Sequence, residues 1–234
     1  MKKIKTSYIF QRVEKKYMIS KSAYLEFLNR ILPYIKPDEY GPVNICNIYY
    51  DTDNFDLIRT SIGKPLYKEK LRLRSYGIPN ENDTVFLEIK KKCNGIVYKR
   101  RIDMKEAEAE EYMNNGKKPE SYNQILNEID YFIKYYKPEP KLFLAYDRIA
   151  YSGKYDSDLR ITFDSNIRSR EYDLDLKKGD YGELLLEEDY YLMEIKASDS
   201  MPLWLARTLS DMKIFPTSFS KYGKVYMNNL ATVN

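Results

Sequence analysis

The chain is predicted to be an α+β protein built on an antiparallel β-sheet. In segment after segment, apolar residues alternate with Lys, Arg and Glu at a period of two, which is typical of strands with one apolar and one charged face. Short turn signals join several of these segments as hairpins, and hairpins favour antiparallel pairing. Between the strands, apolar residues recur at helical spacing, so helices are expected there.

The first half of the chain opens with a strand that carries Glu14 and Lys16. A helix over residues 20–35 is predicted next, because Ser20 is a good N-cap and Pro37 lies beyond the end. The alternation then predicts four strands, at residues 45–51, 68–76, 85–92 and 96–102. Turn-forming residues separate the last three, at positions 79–83 and at Asn94 and Gly95. These three strands are therefore expected to form a meander.

In the second half, capping boxes at Asp103/Glu106 and Ser121/Gln124 predict helices over residues 103–113 and 121–136. Strands are predicted at residues 141–150, 158–164 and 190–197. A last helix is predicted from Pro202 to about residue 213, and a tail follows at 215–222. The total is about eight strands. Since no long linker interrupts the 234 residues, a single domain over residues 1–234 is expected.

The composition excludes several classes of chemistry. The chain has no histidine, which excludes Ser-His and Cys-His nucleophilic pairs and His-ligated zinc. Neither a GxxxxGK[ST] loop nor a GxGxxG turn is present to hold a nucleotide phosphate. Cys46 and Cys93 have no redox or metal spacing, and no apolar run is long enough to span a membrane, so a cytoplasmic protein is expected. Lys, Arg, Glu, Asp and a hard metal ion remain as catalytic groups.

Fourteen charged positions chosen from this pattern, thirteen on the predicted strands and one in the tail, are strongly biased to cations. The chosen set comprises eleven cations and three carboxylates, a net charge of +8, whereas the whole chain carries only +4. The cations are Lys16, Lys70, Arg72, Arg74, Lys90, Lys99, Arg101, Arg148, Arg160, Lys196 and Lys221, and the carboxylates are Glu14, Glu88 and Glu194.

This charged face has two interpretations. It can be the solvated face of an antiparallel sheet, with cross-strand salt bridges between its cations and carboxylates. Alternatively, it binds an anion: the arginine-rich strand suits phosphate, and carboxylates beside cations suggest a divalent metal next to that anion. If the sheet closes into a barrel, the charged faces line its interior, where so many cations require a polyanion.

Six motifs carry a resemblance to a known family. They are Arg12-Val13-Glu14-Lys15-Lys16-Tyr17, Tyr49-Tyr50-Asp51-Thr52-Asp53, Lys70-Leu71-Arg72-Leu73-Arg74, Glu88-Ile89-Lys90, Glu194-Ile195-Lys196 and Phe219-Ser220-Lys221-Tyr222-Gly223. In this order they resemble the catalytic domain of the vacuolar transporter chaperone (VTC) complex, a polyphosphate polymerase of the triphosphate tunnel metalloenzyme superfamily. The chain looks like the bacterial stand-alone form of that domain. The resemblance extends from about Phe10 to Gly223.

The resemblance implies an antiparallel eight-stranded β-barrel with helices packed outside, whose basic tunnel makes polyphosphate from the γ-phosphate of a nucleoside triphosphate. It implies Glu194 as the ligand of a Mn²⁺ or Mg²⁺ ion, with Glu14 as a second ligand. Matching the motifs and the charged face, we assign catalysis to Lys16, Arg72, Arg74, Lys90 and Glu194. We assign substrate binding to Lys70, Lys99, Arg101, Arg148, Arg160, Lys196 and Lys221.

Several functions remain open at this point. The superfamily's hydrolases and cyclases carry ExExK in the first strand, and Arg12 replaces the first Glu here, which favours the polymerase branch over a triphosphatase. The alternatives are an inorganic triphosphatase or polyphosphate hydrolase, and a module that binds polyphosphate without turnover. The expected partners are a nucleoside triphosphate, triphosphate or polyphosphate. Nucleic acid is not expected, because the cations are not interleaved with aromatic residues.

Overall fold

A computed structural model describes residues 13–94, 96–119, 123–198 and 200–233. The described residues form eleven strands and six α-helices. The strands are β1 (Val13–Ser20), β2 (Ile35–Pro37), β3 (Val43–Asp51), β4 (Tyr67–Tyr76), β5 (Thr84–Cys93), β6 (Ile96–Lys105), β7 (Glu139–Gly153), β8 (Arg160–Arg170), β9 (Glu183–Leu184), β10 (Tyr190–Ala197) and β11 (Pro216–Thr217). The helices are α1 (Lys21–Ile31), α2 (Asp56–Ile62), α3 (Glu106–Asn115), α4 (Gln124–Tyr136), α5 (Leu203–Asp211) and α6 (Lys221–Val233).

The strands pair antiparallel in the order β11-β1-β10-β8-β7-β3-β4-β5-β6, with β2 added to β7 and β9 added to β8. This confirms the predicted α+β class with a large antiparallel sheet. The eight predicted strands correspond to the eight longer ones, since β2, β9 and β11 have only two or three residues each. No ladder joins β11 to β6 within the described residues, so the closed barrel is not confirmed.

The helix boundaries differ from the prediction where tertiary pairing intervenes. Helix α1 has the predicted N-cap, Ser20, whose Oγ accepts from the Ala23 amide at 3.3 Å. It ends at Ile31 rather than near residue 35, because Ile35 pairs with Gly153 as part of β2. Helix α5 begins directly after Pro202, as predicted. The described helices contain no segment long and apolar enough to cross a membrane.

One of the two predicted capping boxes is wrong, and the other includes a residue outside the described part of the chain. Asp103 lies in β6, opposite Phe86, so the box at Asp103/Glu106 is wrong. The Glu108 carboxylate instead accepts from the Lys105 amide, at 3.1 Å, where α3 begins. Ser121 lies outside the described residues, and α4 is capped by Asn123. Asn and Ser are both good N-caps, so the composition of this segment did not distinguish between them.

Two compact units are distinguishable in the chain. The first unit contains the described residues up to Pro42, with Ile149–Asp164 and Asp189–Ser218. In this unit the apolar faces of β1, β10 and the start of β8 pack against α1 and α5. The core includes Tyr17, Phe27, Ile161, Phe163, Met193, Ile195 and Leu205. The charged alternate positions of the same strands therefore lie on the other face of the sheet.

The second unit contains Val43–Arg148, Ser165–Glu188 and the residues from Phe219 onward. The apolar faces of β3, β4, β5 and the first part of β7 pack against α3 and α4. This core includes Ile48, Leu71, Leu73, Leu87, Ile89, Ile129, Phe132 and Phe143. Again the charged positions of β4 and β5 lie opposite the core. The expectation of a single domain over residues 1–234 stays a prediction.

Candidate functional site

The register of β4, β5 and β6 places six predicted site residues on one face of the second unit. Cross-strand partners share a face of the sheet. One row runs Lys70–Lys90–Lys99 and the next runs Arg72–Glu88–Arg101, while Arg74 follows Arg72 two positions along β4. The six are Lys70, Arg72, Arg74, Lys90, Lys99 and Arg101.

Glu88 is the anionic centre of this face. Its side chain is only 1% exposed; Arg72 Nε donates to Oε2 at 2.6 Å, and Lys99 Nζ lies 2.8 Å from Oε1. Arg74 Nε lies 3.9 Å from Oε2. Burial alone would raise the pKa of Glu88, but Arg72, Arg74 and Lys99 outweigh it and lower the pKa to about 2. Glu88 is therefore ionised at neutral pH, and one carboxylate holds three cations. We call Glu88, Arg72, Arg74 and Lys99 the Glu88 cluster.

Neutral acceptors orient the two arginines of the Glu88 cluster. Arg72 Nη1 donates to the Tyr49 hydroxyl at 3.2 Å. Arg74 donates from Nε to Asn47 Oδ1 at 3.0 Å and from Nη2 to the Tyr146 hydroxyl at 3.2 Å. No described residue accepts a hydrogen bond from Nη2 of Arg72 or Nη1 of Arg74. Each guanidinium is thus fixed by two contacts and keeps donors that can bind a phosphate oxygen.

Two groups at this site titrate just above neutral pH. Burial lowers the pKa of Lys99 to about 8, because the opposing effect of Glu88 is insufficient and Arg72 lowers the pKa further. Burial would raise the pKa of Tyr49, but Arg72, Lys70 and Arg74 together lower it to about 8. A rise in pH through 8 therefore removes a positive charge at Lys99 and adds a negative charge at Tyr49. Both changes oppose the binding of an anion.

Two further predicted residues meet at the ring of Tyr146. Lys221 Nζ lies 4.3 Å from the centroid of this ring, and Arg148 Cζ lies 5.1 Å from it. Lys70 Nζ is 3.4 Å from the Ser220 hydroxyl, directly before Lys221. The Tyr146 hydroxyl also accepts a hydrogen bond from Arg74. Tyr146 therefore contacts both the Glu88 cluster and Lys221, the first residue of α6.

A buried carboxylate fixes the start of α6. Asp51 is fully buried, and its Oδ1 accepts from the amides of Thr52 and Leu57 at 2.8 and 2.9 Å. Its Oδ2 accepts from the Ile58 amide and from the Tyr222 hydroxyl, both at 3.0 Å. Asp51 and Tyr222 belong to two of the resemblance motifs, but no role was predicted for either residue. Their contact holds the residue after Lys221, and they are positioning residues for that lysine.

Tyr222→Phe is expected to lower the free energy of unfolding by about 1.5–3 kcal/mol, because it removes a hydrogen bond to a buried charged group. Urea denaturation measures this loss. Tyr226→Phe is the matched control on the same helix, where the ring lies 5.5 Å from that of Phe55. The control is expected to stay within about 0.5 kcal/mol. Equal losses in the two variants would contradict a specific anchoring role for the Tyr222 hydroxyl.

The first unit carries the other five predicted site residues on one face. Across β1, β10 and β8, Glu14 opposes Lys196 and Lys16 opposes Glu194. Lys196 in turn opposes Arg160. Lys196 Nζ lies 2.8 Å from Glu194 Oε1 and 4.0 Å from Glu14 Oε2. The two predicted metal ligands therefore flank one lysine. Arg160 forms an ion pair with Asp38 at 2.7 Å, which the sequence did not predict.

The oxygen donors around Glu194 fit a hard divalent ion. Thr162 is the cross-strand neighbour of Glu194, and its buried hydroxyl has no hydrogen-bond partner among the described residues. Within that same part of the chain, no group of three or more His, Cys, Asp and Glu residues is arranged to hold a metal. Mg²⁺ commonly binds one or two carboxylates and takes its other ligands from phosphate and water. Glu194 and Glu14 suit that mode rather than a cage built from protein alone.

Comparison with known families decides the assignment of the chain. The model of the VTC domain family matches residues 11–228. The chain belongs to the VTC domain family. The match covers all six motifs and confirms the predicted resemblance to the VTC domain. No curated protein matches this VTC-domain chain in sequence.

Solved structures similar to the VTC-domain chain include a candidate adenylate cyclase from Bacillus halodurans. It shares 15% identity, with 89% of this chain and 93% of that chain covered, at a TM-score of 0.57. A second similar structure is that of HpAC1 from Hippeastrum, a candidate adenylyl cyclase with a reported dominant triphosphatase activity. It shares 14% identity, with 91% of this chain and 93% of that chain covered, at a TM-score of 0.49. The likeness to the Bacillus protein shows a shared fold.

Proposed function

We propose that this VTC-family protein is a metal-dependent phosphotransferase that makes polyphosphate from the γ-phosphate of a nucleoside triphosphate. The observation that carries the proposal is the Glu88 cluster, in which one buried carboxylate holds three cations and two arginines keep unused donors. A group of cations this dense is favourable when a polyanion neutralises it. The match to the VTC family supports polyphosphate or triphosphate as that polyanion.

In the proposed reaction, Arg72 and Arg74 bind oxygens of the transferred phosphoryl group, and Lys90 and Lys99 bind its neighbours. A terminal oxygen of the growing chain attacks the γ-phosphorus. The bond from that phosphorus to the bridging oxygen breaks, and the nucleoside diphosphate leaves. Such a transfer needs positioning and charge stabilisation rather than a protein nucleophile, which suits a chain without histidine.

Substrate phosphates are proposed to bind seven further cations, which are Lys16, Lys70, Arg101, Arg148, Arg160, Lys196 and Lys221. Glu194, with Glu14, would hold a Mn²⁺ or Mg²⁺ ion, which neutralises phosphate charge when bound. A closed eight-stranded barrel around the phosphates is part of this proposal. A cytoplasmic location and the exclusion of nucleic acid remain predictions that accompany it.

Incubation of the full chain with ATP and Mn²⁺, followed by gel analysis, is the test. Polyphosphate and ADP are the expected products. Glu194→Gln is expected to lower the rate by about a hundredfold or more, because the ion loses its main ligand. Glu26→Gln on the exposed face of α1 is the matched control and should keep the full rate.

The same assay separates the two alternatives. Orthophosphate as the sole phosphate product would assign the chain to the triphosphatases, with water as the acceptor in place of the chain end. Tripolyphosphate binding without turnover of any substrate would indicate a binding module. In either case the proposed polymerase would be wrong.

A further inference from the structure

Cations continue beyond the Glu88 cluster along the same face of the β4–β5 hairpin. Lys68 lies directly opposite Lys92, one row beyond the pair Lys70–Lys90. Like charges directly opposite each other destabilise a sheet. Two consecutive rows of opposed lysines therefore have a cost, and nothing in the packing of the core requires them, because these side chains lie on the face away from it.

On the opposite face of β4, β5 and β6, cations form ion pairs with carboxylates. There Lys91 lies 3.3 Å from Glu69, and Arg100 lies 2.6 Å from Glu128. By contrast, no carboxylate among the described residues lies within ion-pair distance of Lys92 or Lys90. On the charged face the buried carboxylate of Glu88 pairs with Arg72 and Lys99, and it does not pair with Lys90 or Lys92. These two lysines are left for a negative charge that the described residues do not supply.

The lysine row is also partly desolvated. Lys68 and Lys92 are both half-buried, and Lys68 Nζ donates to the Ser61 carbonyl at 3.0 Å. Burial lowers the pKa of Lys68, and Lys92, Lys90 and Lys64 lower it further. The Ser61 carbonyl carries no full negative charge, so it only partly offsets the repulsion among these lysines, and a polyanion that bridges them would relieve it.

We infer that Lys68 and Lys92 form a subsite for the distal phosphates of a polyphosphate chain, beyond the phosphates held by the Glu88 cluster. This inference rests on the proposed function and specifies its substrate as an extended chain. Rows of one face are about 7 Å apart along a strand, so the Lys68–Lys92 row lies about 14 Å from the Arg72–Glu88 row. A triphosphate bound at Arg72 does not span that distance, whereas a longer chain does.

An inorganic chain fits this row better than a single-stranded nucleic acid. Nucleic-acid channels combine cations with aromatic rings on which the bases stack. The residue opposite Lys92 on β6 is Val97, and the aromatic residues Tyr67 and Tyr98 occupy positions of the other face. The row therefore offers charge without a stacking platform.

Binding of long-chain polyphosphate and of tripolyphosphate to the full protein, measured by calorimetry at several salt concentrations, tests the inference. In the double variant Lys68→Met/Lys92→Met, the affinity for long-chain polyphosphate is expected to fall about tenfold, or about threefold for each lysine. The salt dependence of log affinity should also become shallower by about 1.4. The affinity for tripolyphosphate should change by less than about twofold.

Lys91→Met is the matched control, because it lies on the same strand but faces Glu69; it should leave the affinity for both phosphates unchanged. Equal weakening of both phosphates, no weakening of the long chain, or the same result in the control would overturn the subsite. Oligouridylate that binds the protein as tightly as polyphosphate, and is weakened equally by the double variant, would assign the row to nucleic acid instead.

Arg72→Met separates this inference from the function on which it rests. The variant should weaken both phosphates, since Arg72 belongs to the cluster that binds each of them. Unchanged tripolyphosphate affinity in Arg72→Met would contradict the proposed site itself, whatever the double variant does. If circular dichroism shows that the double variant is unfolded, the single variant Lys92→Met replaces it. Its affinity for long-chain polyphosphate is expected to fall about threefold.

Discussion

Glu88→Gln is expected to lower the free energy of unfolding by about 3–5 kcal/mol, the cost of removing one partner from a buried ion pair. The carboxylate is 1% exposed and contacts Arg72 and Lys99 at 2.6 and 2.8 Å. A neutral amide leaves these two cations and Arg74 to repel one another around a buried side chain. Chemical denaturation of the two proteins measures the difference.

Glu128→Gln is the matched control for this variant. Glu128 pairs with Arg100 at 2.6 Å on the other face of the meander, where the two side chains are 26% and 41% exposed. Exposed pairs contribute little, so the control is expected to lose at most about 1 kcal/mol. Tripolyphosphate should restore part of the stability lost in Glu88→Gln, because it replaces the missing negative charge and binds only the folded state. An equal loss in both variants would contradict the central role of Glu88.

The same variant has a pH signature. The pKa of Glu88 is about 2 in the folded protein, below the ordinary value of 4.5. A carboxylate with a lowered pKa contributes stability that is fully present above pH 4.5 and is lost as the pH falls through 2. The free energy of unfolding of the parent protein should therefore fall with decreasing pH across this window. In Glu88→Gln the decline should be shallower, which urea denaturation at a series of pH values would detect.

The strands were predictable from the sequence because each one has a core face and a charged face. Leu71 and Leu73 are buried in β4 while Lys70 and Arg72 lie on the other face, so the period of two is visible without knowledge of any partner. The short strand β2 shows no such period, because its three residues are defined by pairing with the end of β7. The first residue of β2, Ile35, was included in the preceding predicted helix, so α1 was predicted to extend to residue 35 instead of ending at Ile31.

Two helices were missed for a related reason. Helix α2 follows Phe55, which has a left-handed backbone with φ of 58°, and its first amides are satisfied by the carboxylate of Asp51. Helix α6 lies partly in the predicted tail and is anchored through Tyr222 to the same carboxylate, 171 positions away. Local caps exist in the sequence and were overlooked: Thr52 Oγ1 accepts from the Asp56 amide, and Ser220 Oγ accepts from the Gly223 amide. The contact of both helices with Asp51 is long-range and could not be inferred from either segment alone.

The candidate site was predictable as a set of charges but not as a set of contacts. The alternation identified Arg72, Arg74 and Lys99 correctly as members of one charged face. Which cation meets which acid depends on register, and the register places Glu88 between Arg72 and Arg101. Tyr49 and Asn47 were missed because they lie on β3, where nearly every residue is buried and no charge marks the face.

Arg72→Lys is expected to lower kcat/KM for ATP-dependent polyphosphate formation by about 10²–10³, the usual cost of one preorganised donor at a reacting group. Arg72 uses Nε for Glu88 and Nη1 for Tyr49 and keeps Nη2 for a phosphate oxygen. Lysine is a point charge on a flexible stem, so it cannot hold both protein contacts and also present a fixed donor.

Arg72→Lys is informative because it retains the positive charge at this position. Glu88 keeps a cation beside it, so the free energy of unfolding should fall by much less than in Glu88→Gln, while turnover falls by far more than in Arg100→Lys. Arg100 is the matched arginine, because it pairs with Glu128 on the opposite face of β6. A large loss of stability with little loss of turnover would mean that Arg72 serves only as the counter-ion of Glu88. A large loss of turnover with stability retained requires that its guanidinium contacts the phosphates.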